Sequence, residues 1–241
     1  MKNGYVLTSA PDLNWVEERI GQAPILKVVT EWGLPGPKPV WTDEAIARAC
    51  AMSEETVCRS RAGDGRTYPH AEEVVEEFRR WYKVRRGRMI FEIGNEPPLS
   101  DVFGYLWHLE NALKECRKVF PKARFISTAM HPDLVNQWAN YNRFIQVVKQ
   151  FDYIGVHQYA HYSLLADDTH HGQLNNIAYA SVAGMPWALT EFGVHDPTTP
   201  DSVKLAQYDV FMANLASKYE LATIYHLCSN PINEDQKAYA I

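Results

Sequence analysis

The chain of 241 residues carries 24 Lys and Arg against 29 Asp and Glu, so it lacks the basic surplus that neutralises phosphates. With a formal net charge of -5, a nucleic-acid partner is not expected. Its one basic cluster, Arg79-Arg80 with Lys83, Arg85 and Arg86, follows Glu72-Glu73 and Glu76-Glu77. Acid first and base last is the order a helix dipole favours, so a solvated helix accounts for the cluster. Cysteine is scarce: Cys50, Cys58, Cys116 and Cys228 are scattered with no CxxC pair, which disfavours a disulfide framework or a zinc site and suits reduced interior thiols. No stretch approaches 18 apolar residues, so no membrane partner is expected. The opening MKNGYVLTSAPDLNW also lacks the apolar run of a signal peptide. The chain as given therefore reads as cytoplasmic, and as secreted only if a leader has been removed.

What is present is a hydrophobic content of 46%, ample for a large core. The length suits two small domains or one α/β barrel. Short apolar runs recur at 4–10, 24–30, 56–62, 88–95, 124–130, 152–159, 186–192 and 221–227. Near-continuous apolar runs of this length mark strands buried on both faces of a parallel sheet. Between them the period changes. Val102, Leu106, Leu109, Leu113, Cys116 and Phe120 fall three or four apart on one helical face, as do Leu205, Tyr208, Met212 and Leu215. Thr42 before DEAIARACAM has the side chain of an N-cap. Eight strands joined by helical crossovers predict a (β/α)8 TIM barrel, one domain over 1–241. The competing doubly wound sheet is disfavoured because the first turn, TSAPDLNW, has no glycine-rich phosphate loop. The Pro/Gly-rich GLPGPKPVW lies inside the second crossover and reads as a loop, not a domain boundary.

A barrel places its active site at the C-terminal ends of its strands, so polar residues that close apolar strands are the candidates. Strand four, within FEIGNEP, ends on Asn95 and Glu96. Strand six ends on His157 and Tyr159, strand seven on Glu191, and strand three carries Arg59 and Arg61. Residues two apart on a strand share a side. A carboxylate closing an apolar strand is costly unless it is paired or reactive. Two of them at one mouth suit glycoside hydrolysis: one carboxyl group protonates the leaving oxygen while the other, ionised, attacks the sugar carbon. In this reading Tyr159 orients the nucleophile and Asn95 donates to the sugar 2-hydroxyl.

FEIGNEP, VHQY and WALTEFG, in this order, resemble the retaining glycoside hydrolases of clan A, and most of all the cellulase-type enzymes of family 5. The resemblance implies Glu96 as acid/base, Glu191 as nucleophile, Asn95 as the substrate-binding neighbour and His157 with Tyr159 as the strand-six pair. It implies an oligo- or polysaccharide substrate, no cofactor and no metal. The chain departs from the family where an arginine usually closes strand two: ILKVVTEW has Lys27 there. Arg59 or Arg61 is the substitute to test. The tryptophan usual at strand eight is also missing from ATIYHLCS, leaving Tyr225 or His226, with Trp32 after strand two as the better sugar-stacking ring.

Other polar residues have plainer readings. Glu92, four residues deeper than Glu96, is expected in an internal salt bridge, with Arg59 as the suggested partner. Trp41, Trp138 and Trp187 read as core. The loop AHYSLLADDTHHG, with His161, Asp167, Asp168, His170 and His171, invites a metal. Barrel metallohydrolases gather ligands from several strands, often from a His-x-His on strand one, and strand one here has no histidine, so a rim loop is expected. Two rival functions stay open: a carbohydrate-binding barrel without turnover, and a metal-dependent hydrolase built on that loop.

Overall fold

The computed structural model describes residues 2–7, 10, 12–30, 41–60, 68–85, 89–129, 137–160, 185–194, 200, 202–204, 206 and 221–224. Strands and helices alternate: β1 (Lys2–Leu7), α1 (Asp12–Arg19), β2 (Ala23–Val29), α2 (Asp43–Ala51), β3 (Ser53–Arg59), α3 (Ala71–Val84) and β4 (Met89–Glu92). After these come α4 (Val102–Val119), β5 (Arg124–Ile126), α5 (Trp138–Val148), β6 (Ile154–Ala160), β7 (Trp187–Val194) and β8 (Leu221–Ile224). Every strand pair is parallel, in the order β5-β4-β3-β2-β1-β8-β7-β6.

The two ends of that order meet. Ile126 and Tyr153 form a parallel bridge, and the Ser127 amide donates to the Tyr153 carbonyl at 3.0 Å. Gly155 makes the approach possible, because a Cβ there would lie 2.2 Å from the Ser127 carbonyl oxygen. The sheet is therefore a closed ring.

All eight expected strands are present, with shifted ends. The first runs Lys2–Leu7 in place of 4–10, and the third stops at Arg59 in place of 62. The fourth and fifth are shorter than their apolar runs, ending at Glu92 and Ile126, although the next amides still bond across the sheet, Ile93 to the Ile126 carbonyl and Ser127 to the Tyr153 carbonyl. The 102–120 face is α4, and the acid-then-base segment is α3, whose Glu73 carboxylate accepts from the His70 amide at 2.7 Å. Thr42 caps α2, accepting from the Ala45 amide at 3.1 Å. Of the helix expected over 203–219, only 203, 204 and 206 are described, and they are helical.

Strand periodicity sorts the core into two parts. One set of side chains, Leu26, Val28, Cys58, Phe91 and Phe125 among them, packs outward against the helices. Phe91 stacks on Phe78 of α3 at 4.1 Å between ring centres. Burying a ring of this size contributes about 2–3 kcal/mol. The alternate set, Ile25, Val57, Ile90, Ile126 and Ala188 with Tyr153, forms a separate apolar plug inside the ring. Cys50, Cys58 and Cys116 are free and buried, and burial pushes all three thiols up, which keeps them unreactive. Trp41 is core, in edge contact with Trp81, whereas the Trp138 side chain lies outside the described residues. Among the described residues no helix is long and apolar enough to cross a membrane.

Candidate active site

Two residues further along β2, β3 and β4 from the apolar plug, the inward positions become charged. Ile25 is followed by Lys27, Val57 by Arg59 and Ile90 by Glu92. The same alternation that fills the ring thus builds a polar layer directly above its plug.

Lys27 is fully buried, and its ammonium sits at the centre of this layer. It donates to the Thr190 carbonyl at 3.1 Å and to Glu191 Oε1 at 3.2 Å. Its Nζ also lies 2.7 Å from Glu92 Oε2, an ion pair in contact although off the hydrogen-bond direction. The expected internal salt bridge of Glu92 therefore exists, with Lys27 and not Arg59 as its partner. The sequence held the signal. One cation inside ILKVV and one carboxylate inside MIFE are each too costly to bury alone, so they are best buried together.

Arg59, at the end of β3, reaches across the ring to Glu191 Oε1, and the same Nη1 donates to Asn95 Oδ1 at 2.9 Å. Glu191 thus meets two cations, which match the charge of an ionised carboxylate. Glu96 is different. Its Oε1 lies 2.8 Å from His157 Nδ1, and its side chain is 22% exposed against 6% for Glu191. The other ring nitrogen, Nε2, is 3.8 Å from Glu191 Oε2, so one buried imidazole lies between the two carboxylates. Register shifts interrupt β6–β7 between Val156 and His157 and β7–β8 between Leu189 and Phe192. Such irregularities re-aim side chains and are common beside active sites.

The turn that carries Asn95 and Glu96 is fixed from below. Gly94 has φ +80, and a Cβ there would lie 2.2 Å from the Tyr105 hydroxyl. That hydroxyl accepts from the Asn95 amide at 2.7 Å and lies 3.0 Å from the Asn95 carbonyl and 3.3 Å from Thr128 Oγ1. Burial pushes the Tyr105 phenol well up, so it remains a protonated donor. Sequence reasoning missed this residue, because within α4 it reads only as one more aromatic on the buried face. Gly94→Ala should cost about 1–3 kcal/mol through strain at positive φ, and more through the clash. It should also depress turnover beyond its loss of stability, as thermal melts and kinetics on the same preparation would show.

The structure therefore brings Arg59, Asn95, Glu96, His157 and Glu191 to one place, with Lys27 and Glu92 beneath them. Tyr159 follows His157 by two residues on β6, but its side chain lies outside the described residues. Arg61, Trp32 and His226, with Tyr225, lie outside them altogether, as do His161, Asp167, Asp168, His170 and His171. Among the described residues no group of three or more His, Cys, Asp or Glu side chains is placed to share a metal ion.

No family model and no curated sequence matches the chain. Solved structures do. One is the β-mannanase of Streptomyces thermolilacinus with mannohexaose, at 16% identity over 98% of this chain and 81% of that one, with a TM-score of 0.62. Another is Cel5A of Thermotoga maritima with cellobiose, at 14% identity over 99% of this chain and 92% of that one, with a TM-score of 0.64. A third is a GH128 exo-β-1,3-glucanase of Aureobasidium namibiae, at 14% identity over 99% and 89%, with a TM-score of 0.62.

The chain is a (β/α)8 barrel.

Its charged cluster lies toward the C-terminal ends of the barrel strands, the end at which enzymes of this fold build their active sites. Cluster and fold-level expectation thus agree on the same mouth.

Proposed function

We propose that the chain is one catalytic barrel over 1–241, a retaining glycoside hydrolase acting on a β-linked oligo- or polysaccharide. The observation that carries the reading is the unequal treatment of two carboxylates around one imidazole. Glu191 is buried between two cations; Glu96 sits nearer solvent against His157. Environments that separate a carboxyl pair in this way assign the roles. Glu191 attacks the anomeric carbon as Glu96 protonates the leaving oxygen, giving a glycosyl–enzyme ester. Glu96 then takes a proton from water, which attacks the same carbon and frees Glu191. The three solved neighbours, acting by their names on mannan, on a cellulose fragment and on a β-1,3-glucan, support a β-linked glycan without choosing among sugars. Fold alone does not choose either, since substrate choice lives in loops.

The test is incubation with β-mannan, soluble cellulose and β-1,3-glucan, measuring new reducing ends and following the first-formed anomer by proton NMR. New ends in the β configuration are expected, unchanged by a chelator. An α-anomer formed first would overturn the retaining mechanism. Tight glycan binding without new ends would favour a carbohydrate-binding barrel.

A further inference from the structure

We infer that a cleft on the face of the barrel opposite the mouth is a binding site for an aromatic carboxylate. The cleft encloses about 460 Å³, between Arg79, Tyr82 and Lys83 of α3 and Phe120, Pro121 and Lys122 just past α4. A volume of this size accepts a small organic molecule. Both helices end shortly before β4 and β5 begin, so the cleft lies by the starts of those strands. Glu96 and Glu191 lie toward their far ends, and a ligand here would not touch them.

The charge at this place is not used by the fold. The basic cluster of α3 divides in two. Arg80 donates to the Trp41 carbonyl at 2.6 Å and to Asp43 at 2.8 Å, and Arg85 donates to the Cys50 and Ser53 carbonyls. Both arginines staple α3 to neighbouring turns. Arg79 and Lys83 line the cleft instead. Arg79 uses only Nε, on Glu76 at 3.0 Å, and among the described residues its two Nη groups have no partner. Lys83 and Lys122 are exposed, and among the described residues neither meets a carboxylate or a helix-end carbonyl. No Asp or Glu lines the cleft. Three cations gathered without a counter-charge, in a chain of net charge -5, repel one another, and a bound anion relieves them. The free Nη pair of Arg79 matches the two oxygens of a carboxylate.

The floor selects the rest of the ligand. The Tyr82 and Phe120 rings lie 5.0 Å apart between centres at an inclination of 52°, with Val119 and Pro121 beside them. A flat aromatic body packs against such rings edge-on or offset. A sugar would bring several hydroxyls to a floor where the Tyr82 phenol is the one uncharged polar side-chain group.

The test is isothermal titration calorimetry with 2-naphthoate, with 2-naphthalenemethanol as the neutral form of the same body, and with digalacturonate as an acidic sugar. 2-Naphthoate should bind about tenfold or more tighter than the alcohol, the worth of charge-assisted hydrogen bonds, and its Kd should rise with added salt. Lys83→Glu with Lys122→Glu should weaken the acid by about tenfold or more and leave the alcohol unchanged. Lys83→Gln with Lys122→Gln, which adds no new charge, should give a smaller loss in the same order. Tyr82→Ala should weaken acid and alcohol alike. Both lysines are exposed, so the lysine variants should keep the wild-type Tm and any hydrolysis of glycans. Failure of 2-naphthoate to bind, equal affinity for acid and alcohol, or binding indifferent to the lysine variants would overturn the inference. Digalacturonate binding tighter than 2-naphthoate would overturn it too, by making the cleft a sugar site. None of these outcomes depends on the glycosidase reading.

Discussion

Glu191→Gln should lower kcat by about 10⁴-fold or more, the scale on which loss of a nucleophile is felt. Glutamine keeps the shape of the side chain but cannot form the glycosyl ester, and it leaves Lys27 and Arg59 facing a neutral amide. A shorter change adds a positive signature. In Glu191→Ala, azide can enter the vacated space and attack the sugar from the face that Glu191 used, giving an α-glycosyl azide. In Glu96→Ala, azide instead replaces the activated water on the opposite face and gives the β-azide. Opposite azide anomers from the two variants would fix the roles independently of any rate. Equal turnover in wild type and Glu191→Gln would sink the two-glutamate mechanism outright.

The largest effect on stability should come from Lys27→Met. Glu92 and Lys27 are both fully buried, and the lysine ammonium also serves Glu191. Removing one partner of a buried pair leaves an uncompensated charge, at a cost of about 3–5 kcal/mol. For a chain of this size that corresponds to a fall in Tm of about 6–20 °C. The pair itself need not be stabilising against an apolar substitute of similar volume. Lys27→Met with Glu92→Leu should therefore recover much of the loss, while Glu191 keeps Arg59. Differential scanning calorimetry of the two singles and the double decides it. A double variant no better than Lys27→Met would show that Glu92 is not the charge left stranded.

Much of this arrangement was legible in the sequence, for identifiable reasons. The eight strands showed because a parallel barrel buries both faces of each, which writes a short apolar run at every strand. Their ends were less visible, since pairing stops where backbone geometry turns and not where apolar character stops. Asn95, Glu96, His157 and Glu191 stood out because polar residues closing apolar strands need a reason to be there. The partners of those residues did not. That Lys27 and not Arg59 meets Glu92 depends on the stagger of neighbouring strands around the ring. Periodicity gives which residues point inward, but not at what height they meet. Tyr105 was hidden for a related reason, because its hydroxyl acts from the tip of a side chain whose ring is ordinary core.

The seam of the barrel bears on all of these residues. β5 is three residues long and meets β6 through a single bridge and a few flanking hydrogen bonds. His157 on β6 and Glu96 after β4 face each other on the two sides of that joint. Arg59 and Lys27 tie β3 and β2 to Glu191 on β7. The groups proposed as reactive thus double as clasps across the weakest part of the hoop. In many enzymes neutralising a catalytic charge relieves strain and raises stability at the expense of turnover. Here the same change also removes a clasp across the ring, so it should cost some stability along with turnover, and a stabler chain would have to be sought among residues outside the mouth.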